Sequence, residues 1–94
     1  MLSYMDFKQF PKDKGKMLAE IKRAFDAYDN DNIEDKDFID LISHYQSYSE
    51  EEQWIGRYDS IDGFQIKQTT AVKLGQSRSK RLVKILNKIA EFDM

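Results

Sequence analysis

Apolar residues return at helical spacing in three stretches of this chain, and that periodicity limits its fold more than any other feature. Between Ser79 and Phe92, the residues Leu82, Ile85, Leu86, Ile89 and Phe92 share one face of a helix, with Lys80, Arg81, Lys84 and Lys88 opposite. From Asp13 to Tyr28 the stripe is Met17, Ile21, Phe25 and Tyr28, widened by Ala24. From Asp35 to Tyr45 it is Phe38, Leu41, Ile42 and Tyr45, with acids crowding the first turn, where the helix dipole favours them. The run Asp29, Asn30, Asp31, Asn32 separates these last two stretches, and such side chains compete for backbone hydrogen bonds and so prefer turns. An antiparallel helical hairpin is expected.

The remaining segments are read from their punctuation. Ser3 is placed to cap a short turn carrying Tyr4, Phe7 and Phe10, which Pro11 stops. Ser49 followed by Glu52 has the capping-box spacing and predicts a short helix through Trp54 and Ile55, closing near Gly56. Residues 57–70 read two ways. Asp62-Gly63 between IGRYDSI and FQIKQTT is a hairpin signal, whereas Phe64, Ala71 and Leu74 share a helical face that Gly75 ends before a polar turn QSRS. Helix is preferred there. The expected fold is therefore an all-α single domain, a small bundle of about four helices, with an α+β fold carrying a hairpin around Asp62-Gly63 as the alternative. Phe25, Phe38, Leu82, Ile85 and Ile89 are the expected core.

The chain has 94 residues, enough for one core. With no cysteine it has neither a disulfide framework nor a thiolate zinc site, which fits a reducing compartment. No apolar run approaches the 18 or so residues of a membrane span, and MLSYMDFKQF has neither the basic start nor the apolar core of a secretory signal. A cytoplasmic location with no membrane partner is expected.

Charge is distributed unevenly. Residues 26–62 carry twelve acidic and two basic side chains, while residues 63–90 carry seven basic and no acidic ones. The segment from Phe64 to Ile89 reads as helix, glycine-containing turn and basic helix, the layout of a helix-turn-helix. Lys67, Lys73, Arg78, Lys80, Arg81, Lys84 and Lys88 are the candidate nucleic-acid contacts, able to track phosphates. The same basic helix could instead face an acidic protein partner or the acidic hairpin of its own fold. In the rival reading the chain is an adaptor or inhibitor that presents the acidic hairpin or an aromatic patch at Trp54 and Tyr58.

Other chemistry finds little support. FDAYDNDNIEDKDFIDLI (25–42) looks like a calcium EF-hand, but only nine residues run from Asp29 to Asp37, against twelve in such a loop, and its central glycine is missing. A shortened loop cannot wrap a cation, so no metal is expected. His44 is the only histidine and reads as a partly exposed bystander. No serine lies in a nucleophile elbow, Glu50, Glu51 and Glu52 fan around a helix rather than converge, and the four glycines form no phosphate loop. The expectation is a non-catalytic regulatory or accessory binding protein without a cofactor.

The hairpin IKRAFDAYDNDNIEDKDFIDLI (21–42) and the segment LGQSRSKRLVKIL (74–86), with its glycine, basic pair and leucine leading into the last helix, resemble a family of short helical proteins of Gram-positive bacteria and their phages or plasmids. The resemblance implies a helical fold and a mobile-element setting, and no activity.

Overall fold

A computed structural model describes residues 1–92. These described residues are mostly helical, with four α-helices and one two-stranded antiparallel sheet among them. It divides after Tyr48 into two compact units. Among the described residues no helix is long and apolar enough to cross a membrane.

The first unit is the expected hairpin. Helix α1 spans Lys14–Asp29 and helix α2 spans Asp35–Ser49. Asp13 caps α1, its Oδ1 accepting from the Lys16 N–H at 2.7 Å. Met17, Ile21, Ala24 and Phe25 of α1 and Phe38, Leu41, Ile42 and Tyr45 of α2 are buried, as their spacing predicts. Phe38 meets Phe25 edge-on at 5.1 Å and stacks on Tyr28 at 4.3 Å. Five residues join the helices. Asp31 there takes a left-handed backbone (φ 55°), which a short polar side chain tolerates, and Ile33 turns inward to pair with Leu2.

That pairing fixes the N-terminal segment, which opens with a 3-10 turn at Tyr4–Asp6. The Leu2 N–H donates to the Asn32 carbonyl at 2.7 Å. Further on, Tyr45 Oη donates to the Lys8 carbonyl and Tyr48 Oη to the Pro11 carbonyl, both at 2.8 Å. His44 Nε2 lies 2.8 Å from the Gln9 carbonyl, and since a carbonyl only accepts, Nε2 carries the proton. His44 is thus a fixed part of the fold, with Tyr4 and Phe10 edge-on to its ring, rather than the bystander expected.

The second unit departs from the all-helical expectation. Strands β1 (Gly56–Asp59) and β2 (Gly63–Ile66) form a hairpin in the stretch where helix was preferred, so the α+β alternative describes this part of the chain. The reason lies in the turn. Asp59 Oδ1 accepts from the N–H groups of Ile61 (2.8 Å) and Asp62 (3.1 Å), and Gly63 adopts φ 83°, a conformation a helix cannot use. Those two N–H groups, Asp62 first, hold the Asp59 carboxyl below its ordinary pKa.

The helix expected through Trp54 and Ile55 is absent as well. Ser49 is the last residue of α2 and is buried, because it continues the stripe Ile42, Tyr45 by one more turn; it ends one helix instead of capping another. Helix α3 (Gln68–Leu74) keeps only the C-terminal part of the helix expected to run from Phe64 to Gly75, and α4 (Gln76–Phe92) begins three residues before the expected start at Ser79. Gly75 alone (φ 88°) makes the turn between them, and the polar segment QSRS belongs to α4. Ser79, Leu82 and Leu86 are the buried residues of α4, whereas Ile85 and Ile89 are only half-buried and Phe92 is exposed. The inward face is therefore rotated from the expected one.

Candidate nucleic-acid interface

Helix α4 is positioned by apolar and polar contacts at once. Leu82 and Leu86 are buried on one side, Ser79 Oγ donates to the Ala71 carbonyl of α3 at 3.2 Å, and Asn87 Oδ1 accepts from the Phe64 N–H of β2 at 2.7 Å. With those positions turned inward, Lys80, Lys84 and Lys88 fall on the outward face and are exposed. They stand four residues apart, so each ammonium is carried about 6 Å further along the axis than the last. Among the described residues no side-chain hydrogen bond or ion pair engages any of the three ammonium groups.

The structure divides the seven predicted cations. Arg78 and Arg81 are half-buried rather than part of the outward strip, and Arg78 Nη1 donates to the Leu74 carbonyl at 3.1 Å. Lys67 is the N-cap residue of α3 and Lys73 lies in its last turn, both exposed. Lys73 there lies near the negative end of the helix dipole. The α3–Gly75–α4 turn is shorter than the three or four residues of a DNA-binding helix-turn-helix. Any nucleic-acid contact by α4 therefore rests on its lysine face and not on that docking geometry.

The rival surface is less concentrated. Trp54 is half-buried and its carbonyl accepts from Thr70 Oγ1 at 2.6 Å, so its backbone anchors α3. Tyr58 is 46% exposed on β1, across from buried Phe64. In the first unit Asp29, Asp31, Glu34 and Asp35 are exposed around the hairpin turn. Among the described residues no three carboxylates, histidines or cysteines gather closely enough to hold a metal ion.

Two functional candidates were invisible in the sequence. Asn87 is a polar residue within a basic helix, and only the packing of β2 shows what it binds. Arg57 is exposed on β1 next to Gln65 of β2, a juxtaposition that exists only once the hairpin forms. By sequence the first unit carries seven basic and ten acidic residues, and the chain from Ser49 onward eight and seven. The cationic face thus lies on the more basic half. Comparison with protein families, with characterised proteins and with solved structures finds no match for this chain.

Proposed function

We propose that this protein is a non-catalytic regulatory or accessory protein that contacts nucleic acid through the lysine face of α4. The observation that carries this reading is the line Lys80, Lys84, Lys88: three exposed ammonium groups at regular spacing, unpaired among the described residues, in a stretch with no acid. Lysines supply point charges and not the planar fork that reads a base edge, so the contact is with phosphates and is independent of sequence. Lys67 and Lys73 add charge to the same half of the chain.

Fluorescence anisotropy with labelled duplex DNA, single-stranded DNA and RNA tests this. Binding at low salt should weaken as salt rises, with a log–log slope near −2.7 on duplex for three neutralised phosphates. No binding to any of the three at low salt and micromolar protein would refute the reading. The adaptor reading, through Tyr58 and Trp54 or the acidic hairpin, would then be the better account.

A further inference from the structure

A second polar site lies on the hairpin, apart from the α4 lysines. Gln53, Gly56, Arg57, Gln65, Ile66 and Lys67 line an open groove of about 260 Å³. Its chemistry is one-sided. Arg57 offers a fork of N–H donors and Lys67 an ammonium, Gln53 and Gln65 offer carboxamides, and no carboxylate lines it. Neither Arg57 nor Lys67 makes a side-chain hydrogen bond or a close ion pair among the described residues, although Arg57 is near enough to the Asp59 carboxylate for its charge to help lower that group's pKa. The nearby acid, Asp59, does not line the groove; its carboxylate accepts chiefly from the turn N–H groups of Ile61 and Asp62, and the Arg57 charge adds a smaller attraction. Gln65 spends one amide N–H on a long bond of 3.4 Å to the Asp62 carbonyl, which leaves the other free to point elsewhere.

The backbone holds this arrangement. Gly56 approaches Gln65 across the strands so closely that a Cβ there would collide with the Gln65 carbonyl, so only glycine permits the pairing that sets Arg57 beside Gln65. Gln53 takes a left-handed backbone (φ 53°) at the tight turn after α2, a costly choice for a residue with a side chain. That turn brings its carboxamide to the groove.

We infer that this groove is an oxyanion site, taking a phosphate or carboxylate group of a ligand between Arg57 and Lys67, with the glutamine amides donating to its remaining oxygens. The volume suits one such group and not a whole drug-sized molecule. The site goes beyond the nucleic-acid reading and is tested without nucleic acid. In the full-length protein, inorganic phosphate is titrated at constant ionic strength while backbone amide shifts are followed by NMR. Saturable shifts at Gly56, Arg57, Gln65 and Lys67, lost in an Arg57→Gln/Lys67→Gln double variant whose other amide shifts are unchanged, are the expected result. Arg57→Lys, which keeps the charge and removes the fork, should bind several-fold more weakly than wild type. A parallel titration with acetate separates the two sources: stronger binding of phosphate assigns the site to phosphate groups, and equal or stronger binding of acetate to carboxylates. Absence of saturable shifts with both anions, or identical shifts in the double variant, would overturn the assignment.

Discussion

Gly63 and Asn87 depend on each other. A Cβ on Gly63 would lie 2.7 Å from Asn87 Oδ1, the atom that accepts from the Phe64 N–H, and Gly63 also needs its positive φ. Asn87→Ala leaves a part-buried N–H without its acceptor and should cost about 1–3 kcal/mol in urea unfolding, with Asn87→Asp, which still accepts, costing less. Equal losses in the two variants would show that the hydrogen bond contributes nothing. Tyr45 is a different case, fully buried with its hydroxyl on the Lys8 carbonyl, and burial above all pushes its pKa up from the ordinary tyrosine value. The sign follows directly. A raised folded pKa contributes stability that is fully present below the unfolded pKa of about 10 and is lost as pH rises from there toward the folded value. Stability of the wild type should therefore fall more steeply above that pH than stability of Tyr45→Phe, measured as urea midpoints across the alkaline range. Parallel falls would show that Tyr45 ionises freely.

Among the elements, α1, α2 and α4 were legible in the sequence because their apolar stripes run for three turns or more, long enough for helical periodicity to exclude strand. Asp13 as a cap was not anticipated as such, but the start of the helix was placed within a residue. The hairpin was not settled, since four-residue strands give too few alternations to outweigh Phe64, Ala71 and Leu74 on a helical face; what decides it is the Asp59 turn and Gly63. The site was half legible. Lys80, Lys84 and Lys88 follow from the helical wheel alone, but Arg78 and Arg81 sit at the margin of the apolar stripe, where packing and not spacing determines exposure. The same margin separates Leu82 from Ile85. Leu82→Ala should cost roughly 2–5 kcal/mol because its site is closed on all sides, and Ile85→Ala should cost distinctly less. An Ile85→Ala loss equal to that of Leu82→Ala would place the inward face of α4 elsewhere. The α1–α2 turn gives a further test: five residues between helices are too few to wrap calcium, so millimolar calcium should leave the melting temperature unmoved, and a rise of several degrees would mean the loop binds it after all.

On the scale of the whole molecule the governing quantity is charge. The first unit is net acidic, by ten residues to seven, and the acids of its helical turn are exposed. If the lysine face of α4 holds a polyanion, exposed carboxylates of the same chain within the screening length oppose its binding. Asp31→Asn and Glu34→Gln remove two exposed charges with little cost to the fold, asparagine being suited to the left-handed backbone at position 31. The double variant should bind duplex DNA several-fold more tightly than wild type near 0.01 M salt, where the screening length is about 30 Å, and almost equally near 0.15 M, where it is about 8 Å. Anisotropy titrations at the two salt concentrations check this. Convergence of the two proteins at the higher salt identifies a through-space effect, because a lost direct contact would persist there. Equal affinities at low salt would show that the acidic turn lies outside the field that the nucleic acid experiences. Weaker binding by the variant would mean that those acids help to build the contact surface, and would move the interface away from α4.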